Sequence, residues 1–586
     1  MPTYIERVFP RLPPELTELV VDRLDRNEVA GTFRLVNKAA AAQFRGPKHT
    51  IIRISQPVPH HAFAARWLAR GATRGLTFTQ RLQLVSRTAA SGVVANLEVA
   101  VRATGGGMPT YDAFKAAAAS GQLASCQWLL DRGCPTSDQQ ADGSGLLAAA
   151  AGGGHQHVCE WLIGLGLTWQ PSGLAEAAHG GHVGLMEWLR QQWMALPIDR
   201  ALPPWRVAQG IPAAAAHGCD LPTLQRLWQA GGGPHWFGVP PIPSASKEEA
   251  LAAAAGSPTP DWAAKVEWLE AQGCPRTPAA AEKAAALPDD AGAAARLAWL
   301  RGRGYPFKAG AAEAAARSGN AAALLYLLSE AEAEARPDGG AVAAFLWRWD
   351  PHPKEWCGRA VDAAAEGGRV GVLRALHEAG RPIHTQRAAE AAARGGHLHV
   401  LAWLMEAFGP AAVRPGAELF DAAAESGSVE LLAWLRGRGC AWGWWVFRSA
   451  ARSGCEAALQ WLAERGCPMP ASGDPYMAAC RNGDLATARC LARLGCPWGA
   501  DGRVFTAALE SPAATLPMLH WLLEAGCPVD LAAVRVEYRS NHQPRVGMAP
   551  GRLSPAEVLE RLKELVAAGL SGRRLTERSV VEYGTY

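Results

Sequence analysis

AAAESGSVELLAWLRGRGC, residues 422–440, decides the fold of this chain. Ala422–Ala424 suit a helix and let a second helix approach closely. Ser426-Gly427 then ends that helix, glycine supplying a left-handed cap. Val429, Leu432 and Leu435 recur at helical spacing. Gly439-Cys440 closes the second helix, and in sister segments a proline follows and forbids continuation. The segment is a helix–turn–helix too small to bury its own apolar face.

The same segment recurs along the 586 residues. AAAASGQLASCQWLLDRGCP (116–135), AAARGGHLHVLAWLMEAFGP (391–410) and AARSGCEAALQWLAERGCP (450–468) keep its phase. Nine units share a glycine seven residues before a Trp position: 121, 154, 181, 319, 368, 396, 427, 454 and 483. Looser copies, such as 253–275, 284–306 and 507–528, keep the landmarks around insertions. The count is about 14 units. Stacked neighbours would bury what one unit cannot, so the expected fold is all-α, a solenoid of helix pairs.

Ten of the 23 tryptophans stand at this one phase, before leucine, and are expected to be copies of a core residue. Trp169, Trp442 and Trp498 occupy a second, usually apolar, periodic position and are expected to pack. Trp236, Trp347, Trp349, Trp356, Trp444 and Trp445 break the period, which makes them the candidate partner-binding anchors. Four insertions, 193–212, 232–250, 330–358 and 530–556, are expected to be surface loops.

Composition excludes several classes. Lys+Arg 58 against Asp+Glu 54 is not a basic nucleic-acid coat. Thirteen cysteines contain no CxxC pair, and six of them (Cys134, Cys274, Cys440, Cys467, Cys496, Cys527) share one repeat position, as small buried hydrophobes would. The His155/His157 and His397/His399 pairs sit at the repeat's glycine step, where capping is expected rather than metal binding. No signal peptide or membrane-length apolar run is visible, which points to a soluble cytoplasmic or nuclear protein. No phosphate loop, dinucleotide fingerprint, nucleophile elbow or HExxH occurs, and SASK (244–247) lacks companion motifs. No catalytic residue, metal site or cofactor is expected, and the chain reads as a non-enzyme. Residues 29–97 carry ten Lys/Arg and no acid, which suits an acidic partner surface. The lack of an aromatic–basic platform or recognition motif argues against nucleic acid.

Two resemblances follow from these residues. The Ala-rich helix end, the Gly154-His155, Gly181-His182 and Gly396-His397 steps and the hydrophobic second helix resemble ankyrin repeats over roughly 88–530. The Thr-Pro-Leu-His signature is missing and many units run 27–31 residues against about 33, so the resemblance is to a divergent, short-repeat branch. Residues 10–46 resemble an F-box, with Leu12, Pro13, Glu15, Leu16, Val20 and Leu24 at its spaced positions. Glu28 and Asn37–Ala40 depart from that pattern. The F-box resemblance implies docking to an Skp-type adaptor of a cullin–RING ubiquitin ligase, with the repeats choosing a protein partner. The alternative is a plain ankyrin scaffold whose N-terminal helices only cap the array. The expected organisation is an N-terminal module (10–46), a basic connector (47–87), the array (88–530) and a C-terminal cap and tail (531–586).

Overall fold

The computed structural model describes residues 13–105, 109–136, 145–166, 172–195, 210–229, 243–334, 353–511 and 516–529. Every regular element among them is helical. Fourteen helix pairs follow one another from Phe78–Ala90/Val94–Ala103 to Arg503–Glu510/Leu516–Glu524. The first pair thus starts ahead of residue 88, where the sequence landmarks begin. Five short helical turns from Pro14–Val21 to Pro47–Thr50 and the helix His60–Trp67 precede them.

Glycine in the left-handed region makes the turn in ten of the fourteen pairs. All nine reference glycines have φ between 68° and 95°. At Gly121 the next amide, of Gln122, donates back to the Ala117 carbonyl at 3.0 Å, satisfying an acceptor the helix end would otherwise orphan. The second helix ends the same way: Gly133 has φ 72° and the Cys134 amide donates to the Leu129 carbonyl at 3.0 Å. The cysteine that follows is buried, as are all thirteen, and none is in a disulfide.

First helices pack on first helices of neighbouring units through their alanines; Ala392, Ala393, Ala423 and Ala424 are fully buried. The recurrent histidines lie in that contact. A Cβ at Gly368 would come within 2.7 Å of the His397 ring, so glycine there serves both the turn and the neighbour. His399 Nε2 donates to the Gly368 carbonyl at 3.0 Å, and His157 Nε2 to the Gly121 carbonyl at 3.0 Å. Asn320 holds the phase of His397 in another unit and donates to the Ala285 and Leu287 carbonyls at 2.9 and 2.7 Å. These side chains tie three of the units to carbonyls of the one before.

The chain divides into two compact units. One comprises Met1–Thr168, Ala479–Cys490 and Gly499–Tyr586, the other Trp169–Ala478 and Leu491–Trp498. Within the first, Arg81 reaches across the sequence to Asp484 in a two-pronged ion pair of 3.0 and 2.6 Å, and also donates to Thr487 Oγ1 at 3.3 Å. Both charged side chains are buried. Within the second, the amine of fully buried Lys265 donates to the Ala216 and Cys219 carbonyls (2.7 and 2.9 Å) and to Ser257 Oγ (2.8 Å). Burial pushes its pKa down to about 8.

Two outcomes follow. Breaking a buried pair strands a charge, so Arg81→Met should cost about 3–5 kcal/mol, and adding Asp484→Leu should restore much of it; urea unfolding of the single and double variants measures both. Burial holds the His397 pKa below the usual histidine value. Protonation therefore favours the unfolded chain, and stability present near neutral pH is lost as pH falls below the unfolded histidine range. His397→Asn, copying Asn320, should flatten the fall in melting temperature between about pH 7 and 5.

Candidate functional site

The N-terminal helical module has its own small core. Val21, Val29 and Phe44 are buried, with Leu24 and Phe33 packed against them. Phe33 meets Phe44 edge-on at 5.8 Å. Buried Asn27 clamps the following segment: its amide donates to the Arg53 and Pro57 carbonyls at 2.8 and 2.9 Å, and its Oδ1 accepts from the Arg53 amide at 2.8 Å. Asn37 caps Lys38–Gln43 by accepting from the Ala40 amide at 2.8 Å.

The helix Pro14–Val21 is apolar on both sides. Thr17 and Val21 turn inward. Leu16, Leu19 and Val20, three and four residues apart and so on one face, are 48%, 63% and 49% exposed. Leu35, Val36, Ile51 and Ile52 are also exposed large apolar residues of this region. Solvated apolar side chains concentrated in so small a module are the mark of a surface meant to be covered.

Of the proposed docking residues, Leu12 lies outside the described residues. Pro13, Glu15, Leu16 and Val20 are exposed, but Leu24 is half-buried against the module's core and supports the fold instead. Of the proposed partner-binding tryptophans, Trp236, Trp347 and Trp349 lie outside the described residues. Trp356 is 1% exposed, which removes it as a surface anchor. Trp444 is 60% exposed, and half-buried Trp445 meets it edge-on at 5.5 Å.

The periodic tryptophans correct the sequence reading in one respect. In nine of the ten Trp-Leu steps the leucine is the fully buried residue, as at Leu129, Leu162, Leu269, Leu300 and Leu462, which have no exposure; Leu68 of the remaining step is 43% exposed. Most of the tryptophans are only half-buried. In four units an arginine four residues on lies over the indole: Arg132 on Trp128 at 3.8 Å, Arg303 on Trp299 at 4.8 Å, Arg438 on Trp434 at 3.7 Å and Arg465 on Trp461 at 5.4 Å. Pattern alone cannot separate a core tryptophan from one lying along a rim, because both follow the helical period. The arginine at the fourth position was the available signal. At the second periodic site Trp442 packs near Phe420 and under Arg436, and Trp498 stacks on Tyr476 at 3.7 Å; Trp169 lies outside the described residues.

Chemistry elsewhere is sparse. No group of three or more His, Cys, Asp or Glu side chains among the described residues could hold a metal ion. Burial pushes the Cys480 and Cys496 thiols up to about 12, far from the thiolate a redox site needs. Lys247 of the SASK segment donates to the Gln272 carbonyl at 3.2 Å. No helix among the described residues is long and apolar enough to cross a membrane.

No family model and no curated protein matches this chain. Among solved structures it is similar to the pentatricopeptide repeat protein PPR10 from maize, at 13% identity and a TM-score of 0.23, covering 97% of this chain and 86% of that one. It is also similar to PPR10 in complex with an 18-nt psaJ RNA element, at 12% identity and a TM-score of 0.19, covering 92% and 95%. These likenesses go no further than the helical repeat character that the helix pairs already display. The expectation against nucleic acid does not stand: helical repeats can read bases through two or three side chains per repeat, so no linear motif or basic coat is needed. One of the two similar structures holds an 18-nt RNA element. The missing motif therefore excludes nothing.

The division between supporting and exposed side chains in the N-terminal module is directly testable. Leu24→Asp should destabilise the module by about 2–4 kcal/mol, whereas Leu16→Ser should change its stability by no more than about 0.5 kcal/mol. Limited proteolysis within residues 13–57, followed by mass spectrometry, distinguishes the two variants.

Proposed function

We propose that this chain is a non-enzymatic recruitment protein whose N-terminal module docks a protein adaptor while its helical repeats hold a protein partner. The observation that carries the reading is the exposed Leu16, Leu19 and Val20 face on a module that already has a complete core of Val21, Leu24, Val29, Phe33 and Phe44. Burying three such side chains contributes about 1.5–3 kcal/mol each relative to leaving them exposed, enough to drive association once the entropy of docking is subtracted. The F-box resemblance of residues 10–46 gives the adaptor a class: the Skp-type subunit of a cullin–RING ubiquitin ligase. On that reading the repeats, divergent ankyrin units, select what the ligase modifies.

The test is co-purification of full-length protein with a purified Skp-type adaptor. Wild type should form a stable complex, and Leu16→Asp with Val20→Asp should abolish it while leaving the repeat array folded by circular dichroism. Absence of a complex with wild type overturns the ligase reading and leaves a scaffold. The same preparation is titrated with single-stranded RNA; saturable binding retained after removal of residues 1–57 would replace the protein partner of the repeats by a nucleic acid.

A further inference from the structure

One stretch, AWLRGRGCAWGWWVFRSAAR (433–452), gathers aromatic and cationic residues as no other unit does. Between Glu430 and Glu456 the chain carries Arg436, Arg438, Arg448 and Arg452, with Trp434, Trp442, Trp444 and Trp445, and no acid. Arg436 and Arg438 stand at the end of the helix Val429–Gly437, and Trp442, Trp444 and Trp445 fill the connector to Val446–Ser453. These five residues therefore share one end of one unit. The corresponding connectors of the neighbouring units, 413–416 and 468–473, hold no tryptophan.

Two arginines are fixed here by their own unit. Arg438 lies on the Trp434 indole at 3.7 Å and donates to the Trp434 carbonyl at 3.4 Å. Arg436 lies on the Trp442 indole at 3.7 Å and donates to the Cys440 carbonyl at 3.0 Å. Both are exposed, and both sit close enough to Cys440 to oppose the rise that burial gives its pKa. Neither makes an ion pair among the described residues. Carboxylates of the flanking helices have other cations: Asp421 lies by Arg448 and Arg452, Glu425 is 3.2 Å from Arg452, and Glu456 is 2.7 Å from Arg493. The aromatic pair is fixed as well. The Trp445 ring lies over Gly443, where a Cβ would come within 2.6 Å of it. Trp444 stands edge-on to that ring at 5.5 Å and is 60% exposed.

We propose that Trp444, Arg436 and Arg438 form the docking surface for an acidic segment of a protein partner, with carboxylates on the guanidinium edges and an apolar side chain against the Trp444 ring. The inference rests on the reading of the repeats as a surface for a protein and gives the partner's chemistry. Tryptophan and arginine are the residue types that anchor interfaces. A guanidinium held flat on an indole keeps donors of its fork for a carboxylate and has little freedom left to lose on binding. A single-stranded nucleic acid calls for a run of open ring faces. Arginine already covers Trp434 and Trp442, and of the four tryptophans Trp444 alone is exposed. One open ring beside two unpaired cations fits one apolar side chain within an acidic peptide.

The experiment uses the full chain and a fluorescent Gly-Glu-Glu-Phe-Glu-Glu-Gly peptide. Its controls replace every glutamate by glutamine, or the phenylalanine by glycine. Fluorescence anisotropy should show saturable binding that added salt weakens, and binding of either control at least about tenfold weaker. Trp444→Ala should lower affinity by about tenfold or more while keeping the melting temperature of wild type, since the side chain it removes is exposed. Arg436→Gln with Arg438→Gln should lose as much; should that variant unfold, Trp444→Ala and the glutamine peptide decide the question. No saturable binding up to millimolar peptide, equal binding of either control, or binding unchanged by folded Trp444→Ala would each overturn the site. A short oligouridine that binds more tightly than the peptide and is lost with the same substitutions would overturn it in favour of a nucleic acid. Because the peptide needs neither the adaptor nor residues 13–57, failure here and failure of adaptor docking are read separately.

Discussion

Ten of the fourteen described helix pairs depend on glycine at the one backbone position where the chain turns through the left-handed region. A helix pair of this length cannot hold itself together, because each helix is too short to be stable alone and too narrow to hide its apolar stripe. What makes the pair useful is that its two helices leave the turn at a fixed angle, so that identical pairs stack. Gly427 with φ 71° and the amide-to-carbonyl bond at each such turn fix that angle. Everything downstream inherits it: the alanine faces of the first helices come together, and the residue after the glycine falls over the preceding unit. At Gly368 the constraint is doubled, since a side chain there would strike His397.

That local character explains what the sequence made legible. Glycine phase, helix limits, the count of pairs and the inward position of the Gly-Cys step are all decided within about twenty residues, so they recur as pattern. The H-x-H pairs were legible for the same reason; their partner is always the preceding turn. Long-range pairing was not. Nothing near Arg81 announces Asp484, and Lys265 looks like a solvated helix residue until the helix ends it serves are brought to it. The tryptophans misled differently. A residue at core spacing that is too large for the core lies over its edge instead, and periodicity gives the same signal for both.

The candidate site was half legible. Spacing put Leu16, Val20 and Leu24 on the module together, but spacing cannot say which apolar face of a short helix is spent on the core. Phe44 and Val29 take Leu24, and that leaves Leu16 and Val20 in solvent. Trp356 shows the converse: out of phase with the repeat and therefore suspected of binding, it is buried. Breaking the period marks a residue as different without saying that it is free.

In an array of near-copies, the copies themselves are the control. Four indoles carry an arginine from their own helix, which says what that ring surface prefers as a neighbour. Where the arginine and the adjacent indole are both replaced by alanine, at Ala407 and Ala375, Trp403 is 7% exposed, the buried one among half-buried copies. His377 at 6.2 Å and Phe408 at 6.0 Å, both at steep angles, take the neighbouring places instead. A departure of this kind repacks the ring and does not free it, so a missing partner in one copy marks a change of packing before it marks a site.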